Sequence, residues 1–248
     1  MDEPPFEFAL TIHMMDQYVK PGDSVPDIGG GPGRYSPLVC VKRVRGHAGG
    51  TFFRQCGPGK GKSEGTGRFH HGAGKNRLEL EELDLGEFDH FFLMGPLYHL
   101  TGEADRAAAV QNALWRVKKG GNLYCSFILD FAGILFDMKN GPGVFPIDLN
   151  NLNAVRLIDS VISGGGYSGP AFTNVFFINQ RRIGPFMAQF EVEKLHLFGR
   201  EGILASNEKQ ILTFPKEEQA LRIGVAKRFL ELPELLAFSE HAMFIGRK

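Results

Sequence analysis

The chain has 248 residues, 43% of them hydrophobic, which suits one sizeable core, alone or with a smaller appended region. Lys plus Arg and Asp plus Glu each number 28, so no global field draws the chain to nucleic acid or to an anionic membrane, and a small, weakly charged ligand is the better expectation. Cys40, Cys56 and Cys125 are odd in number and outside any CxxC spacing, which argues against a disulfide framework or zinc knuckle and for reduced, cytoplasmic thiols.

The amino-terminal MDEPPFEF is acidic and carries prolines, where a secretory leader needs a basic start and an apolar run. Apolar runs elsewhere are broken by Gly, Pro or charge well before the roughly 20 residues that cross a bilayer, so no membrane association is expected. Residues 8–19 carry Leu10, Met14, Met15 and Tyr18 at helical spacing and predict a helix that stops at Pro21-Gly22. Residues 24–28 predict a short strand entering a glycine cluster, the order in which a nucleotide-binding βα unit begins, although Pro26 removes a donor from that strand.

Further along, the apolar run 88–94 predicts a second strand closed by Gly95-Pro96. An Ala-rich helix is expected over 103–117, with Lys118 to Gly121 as its basic last turn and glycine stop, then a strand over 122–129. Residues 130–182 loosen between glycine clusters and read as an inserted cap holding a helix at 152–162; its Phe131, Phe136, Phe145, Tyr167, Phe172, Phe176 and Phe177 suit a satellite core or a substrate pocket. A short helix at 183–190, a strand at 193–198, helices at 217–230 and 233–240, and a final strand at 242–246 complete the order. Repeated βα units imply one α/β domain over 1–248 with a mostly parallel sheet.

The stretch DIGGGPGR, residues 27–34, carries the chemistry. Glycines let the backbone turn tightly out of the strand and approach a ligand with no Cβ in the way. A following helix would point free N–H groups at that ligand, and Asp27 sets a carboxylate beside the turn. A diphosphate-binding turn needs G-x-G-x-x-G; Arg34 occupies the position of its last glycine, which disfavours a dinucleotide oxidoreductase.

The spacing D-x-G-x-G-x-G resembles that of the class I S-adenosylmethionine-dependent methyltransferases. FDHFFLMGPLYHLT, residues 88–101, looks like that family's fourth strand and its loop, and KKGGNLY, 118–124, like the turn into its fifth. The resemblance implies a Rossmann-like, seven-stranded, mostly parallel sheet with an antiparallel last strand and an inserted helical cap. It implies S-adenosyl-L-methionine as cofactor, held by Asp27, Gly29, Gly30, Gly31, Gly33, Arg34 and Tyr35 and walled by Met94, Gly95 and Leu97. Tyr98 and His99 would face a small-molecule methyl acceptor, His99 as general base or as a loop histidine bonded to backbone. Glu7 and Phe8 close over the cofactor or simply cap and pack the first helix.

Residues 41–76 depart from the family. Their only acid is Glu64, whereas Lys42, Arg43, Arg45, Arg54, Lys60, Lys62, Arg68 and Lys75 sit among many glycines, so the acids expected at the ribose and adenine are missing. A missing ribose carboxylate removes charge-assisted bonds worth about 1.5–3 kcal/mol, which weakens cofactor binding. Three readings compete: a basic loop for phosphate or RNA, a disordered insertion, or coding sequence read out of frame between two compensating shifts. The third is favoured because the flanks keep family spacing while the interior loses helical periodicity. His70-His71 has no Cys, Asp or Glu at ligand spacing, and no metal is assigned. The expected function is methyl transfer, with a non-catalytic binding protein of the same fold as the alternative and a nucleic-acid-binding module as a more distant one.

Overall fold

The structure, a computed structural model, describes residues 6–28, 86–141 and 147–248. Helix α1, Phe6–Met15, buries Phe6, Leu10, Thr11, Met14 and Met15. These positions recur three and four apart and so form one face, while Glu7 in the first turn suits the positive end of the helix. The helix starts and ends a little earlier than the apolar spacing predicts. Gly22 then turns the chain at a φ of +101°, with Lys20 N–H bonded to Asp23 Oδ2 at 2.6 Å.

Strand β1, Asp27–Ile28, pairs in parallel with β2, Phe88–Leu93, setting Asp27 beside Phe92 and Ile28 beside Leu93. Pro26 gives its carbonyl to Phe92 N–H at 3.0 Å and has no N–H to return, so the ladder keeps the acceptor and loses the donor. Beyond β2, Gly95 and Pro96 open the four-residue α2, Pro96–His99. Helix α3, Glu103–Trp115, leads into β3, Val117–Ile128.

Here one expectation is corrected. Lys118 to Gly121 do not end the helix; they bulge out of β3, whose pairing with β2 moves from Phe88–Val117 to His90–Asn122. Gly120 takes a φ of +80° in the bulge, and a Cβ on Gly121 would lie 2.5 Å from the carbonyl oxygen of Asp89, so both glycines serve strand geometry.

The described residues of 132–177 hold two helices, α4, Ala132–Asn140, and α5, Leu152–Ser163, and also a hairpin of β4, Tyr167–Pro170, with β5, Asn174–Phe177. The cap expected to be helical is therefore of mixed structure. Gly164 and Gly166, at φ of +69° and +79°, end α5 and turn the chain into the hairpin, whose Tyr167, Val175 and Phe177 face inward. Asn179 caps α6, Gln180–Met187, through its side-chain oxygen on Arg181 N–H, three residues ahead of the expected start.

Strand β6, Glu193–Gly199, precedes a 3-10 turn, Gly202–Asn207, and helices α7, Glu208–Ile211, α8, Lys216–Lys227, and α9, Pro233–Leu236. Strand β7, His241–Arg247, runs antiparallel to both β3 and β6 and lies between them. Among the described residues the main sheet has five strands, in the order β1-β2-β3-β7-β6. The expectation of seven strands extends to residues 29–85, which lie outside the described residues.

Alternation along the strands feeds two cores. Phe91, Leu93, Leu123, Cys125, Phe127 and Phe244 face α3 and α6, whereas Phe92, Tyr124, Met243, Ile245 and Phe198 face α1 and α8. Burial of both faces explains why the strands read as continuous apolar runs. Each fully buried Leu or Phe stabilises the fold by about 1.5–3 kcal/mol. No helix among the described residues is long and apolar enough to cross a membrane.

Candidate functional site

An open α/β sheet presents ligand-binding groups at the carboxyl ends of its parallel strands. At that edge β1 delivers Asp27, which is 6% exposed, next to the end of β2. Met94, Gly95 and Leu97 follow β2 and are buried, Met94 in the core beneath α1 and Leu97 in the core beneath α3. Tyr98 is half-buried against a cluster that holds Ile128 at the end of β3 and the cap residues Leu157 and Tyr167, and its hydroxyl donates to the Met94 carbonyl at 3.3 Å. Burial first, then the negative charges of Glu7 and Asp27, hold its phenol neutral by raising its pKa. Tyr98, Glu7 and Asp27 are thus neighbours at one edge.

His99 points elsewhere. It is exposed, its Nδ1 lies 3.2 Å from Thr173 Oγ1 in the hairpin turn, and Phe172 meets its ring edge-on at 5.8 Å. Desolvation by these neighbours lowers its pKa. Sequence adjacency places Tyr98 and His99 together, but the turn of α2 sends one inward and the other to the surface. Gly29, Gly30, Gly31, Gly33, Arg34 and Tyr35 lie outside the described residues, as do the basic segment 41–76 and His70-His71.

Sequence reasoning missed two groups at the same edge. Asp130, just beyond β3, is fully buried, accepts from Asn179 Nδ2 at 2.8 Å, and has its pKa raised by burial against the hydrogen bonds that favour its charge. It ties the end of β3 to the start of α6. The second group is charged: Arg200 and Glu201 leave β6, His241 opens β7, and Glu7 comes down from α1. Arg200 pairs with Glu7 and donates to Thr11 Oγ1 at 3.2 Å and Ser126 Oγ at 2.9 Å. Glu201 accepts from His241 N–H at 3.0 Å and pairs with its Nδ1 at 2.6 Å. Burial lowers the His241 pKa, but the charge and hydrogen bond of Glu201, joined by Glu7, outweigh it and the net shift is upward.

Donor atoms of Glu7, Glu201 and His241 lie within 4.8 Å of one another, a spacing that would also suit a cation. Arg200 already supplies the positive charge there, paired with Glu7. Charged residues at strand ends were the available signal, but their meeting depends on β7 lying beside β6, which spacing in the chain does not encode.

No family model and no curated protein matches the chain. Solved structures do. The CcbJ methyltransferase of Streptomyces caelestis aligns with a TM-score of 0.50 at 10% identity, over 99% of this chain and 96% of that one. A SAM-dependent methyltransferase of Archaeoglobus fulgidus aligns at 0.49 and 15% identity, over 98% and 94%. One from Methanosarcina mazei aligns at 0.48 and 14%, over 95% and 96%. The similarity to the Streptomyces caelestis protein is one of fold: the chain has the α/β fold of class I S-adenosylmethionine-dependent methyltransferases.

Proposed function

We propose that this chain transfers a methyl group from S-adenosyl-L-methionine to a small-molecule acceptor. The observation that carries the reading is Asp27, a buried carboxylate at the carboxyl end of β1 whose charge reaches Tyr98 beyond β2. A carboxylate, a neutral phenol and the apolar Met94 and Leu97 suit a ligand that joins a cationic amine to a thioether-like chain. Bound there, the cofactor supplies an electrophilic methyl carbon.

In this reading Asp27 accepts from the amino group of the methionine portion, and the glycines at 29, 30, 31 and 33, with Arg34 and Tyr35, complete the turn around it. Met94, Gly95 and Leu97 wall the site, Tyr98 faces the acceptor, and His99 and the cap over 130–182 border the entrance. Transfer is an in-line displacement, so alignment by these walls does most of the work.

Calorimetry with S-adenosylhomocysteine tests the reading. Binding is expected, weakened on the order of tenfold or more in Asp27→Asn. An absence of heat at millimolar ligand would overturn it in favour of a non-catalytic protein of the same fold.

A further inference from the structure

Three histidine–carboxylate pairs occur among the described residues: His90 with Asp23, His196 with Glu231, and His241 with Glu201. In the first two both ring nitrogens are engaged. His90 has Asp23 at 3.0 Å from Nε2 and the Tyr124 hydroxyl 3.5 Å from Nδ1, and His196 holds Tyr18 at 2.6 Å and Glu231 at 2.8 Å. His241 differs. Glu201 holds its backbone N–H and its Nδ1 at once, and no described residue forms a hydrogen bond with its Nε2.

A carboxylate can only accept, so Nδ1 carries the proton and Nε2 presents its lone pair. The grip on backbone and ring together fixes the imidazole's direction. Glu201 is only 5% exposed at its side chain, while His241 keeps 28%, which gives a buried orienting acid behind a ring that reaches solvent. Arg200 and Glu7 neutralise one another beside it, leaving Glu201 as the counter-charge for an imidazolium. Neighbouring Glu240 is drawn off by Lys139 at 2.6 Å. Position completes the case: Glu7 adjoins both His241 and Glu201, and it acts with Asp27 on Tyr98, so the pair stands at the same sheet edge as Asp27.

We infer that His241, oriented by Glu201, is the general base that takes the proton of a hydroxyl-bearing methyl acceptor. This deepens the methyl-transfer reading and rests on it. In the step, the acceptor O–H bond breaks, its electron pair stays on oxygen as the attacking lone pair, and the proton forms an N–H bond at Nε2. The resulting imidazolium is held by the Glu201 carboxylate. Two carboxylates raise the basicity of His241 against burial and Arg200, and bring it closer to the acidity of a phenolic hydroxyl.

The probe is 4-nitrophenol, whose phenolate absorbs in the visible, titrated into the whole chain with S-adenosylhomocysteine present. Bound probe is expected to ionise about tenfold more readily than free probe, because a cation forms within contact distance. His241→Gln and Glu201→Gln should each return its ionisation to that of free probe, and the Glu201 variant gives the answer should the His241 variant fail to fold. Probe that does not bind, that binds without a change in ionisation, or that ionises in the variants as readily as in the unaltered chain overturns the inference. Calorimetry with S-adenosylhomocysteine separates the two levels: binding without probe ionisation loses the base alone, and probe ionisation without cofactor binding loses the methyl-transfer reading.

Discussion

Towards the amino-terminal edge of the parallel strands His90 lies 3.0 Å from Asp23, and at the carboxyl-terminal edge His241 lies 2.6 Å from Glu201. The first imidazole has its pKa lowered and the second raised. Burial is the largest influence on both. His90, 6% exposed at its side chain, has Asp23 as close partner, with Asp89 adding to it and Lys118 opposing, and burial prevails. His241 has Glu201 by charge and by hydrogen bond, with Glu7 added, and together they exceed burial and Arg200. A histidine–carboxylate pair thus has its imidazolium disfavoured at one edge and favoured at the other, decided by whether burial or the paired carboxylates prevail.

The largest break in that comparison should come from Arg200→Met. The guanidinium is 4% exposed, and removing it leaves Glu7 beside Glu201 with one cation between them. A loss of roughly 3–5 kcal/mol in urea unfolding is expected, against about 1 kcal/mol for Asp23→Asn at the other edge. Equal losses would show that both edges are ordinary hydrogen-bonded structure.

Gly121→Ala probes the amino-terminal edge by shape alone. Its Cβ would meet Asp89 carbonyl oxygen at 2.5 Å and Val117 Cγ1 at 2.9 Å, and the expected destabilisation is about 1–3 kcal/mol, with S-adenosylhomocysteine affinity unchanged. Weakened ligand binding in this variant would tie the bulge to the site and erase the division of labour between the edges.

The gentlest test is titration of the ring protons by NMR. His241 should titrate above the ordinary 6.5 and His90 below it. The signs follow from linkage. The His241 contribution to stability is fully present below 6.5 and is lost as pH rises through its folded value. The His90 contribution is present above 6.5 and is lost as pH falls through its lowered value. A shared pKa for both rings would remove the contrast.

Much of the frame was legible because single elements bury whole faces. The apolar run at 88–94 and the Ala-rich helix that follows announce β2 and α3, and the helix expected at 152–162 matches α5, Leu152–Ser163, to within a residue. Glycine misled at Lys118 to Gly121, since a helix stop and a strand bulge both call for its freedom and only the β2 register tells them apart. The hairpin of β4 and β5 was hidden by its short strands and by glycines that read as loop. The place of Asp27 at the end of one strand and of Tyr98 just beyond another was readable from the sequence. Arg200, Glu201 and His241 were not, because each looks like ordinary punctuation at a strand end until the strands are laid side by side.

The place of β7 between β3 and β6 has a kinetic consequence. Among the described residues β6 pairs only with β7, so residues 193–199 reach the rest of the sheet only through the docking of residues 241–247 on β3, whichever pairing forms first. That docking spans more than a hundred residues of chain, and the loop it closes makes sheet completion a slow, late event in folding. Contact between His241 and Glu201 joins the ends of β6 and β7, so it reports the meeting of those two strands.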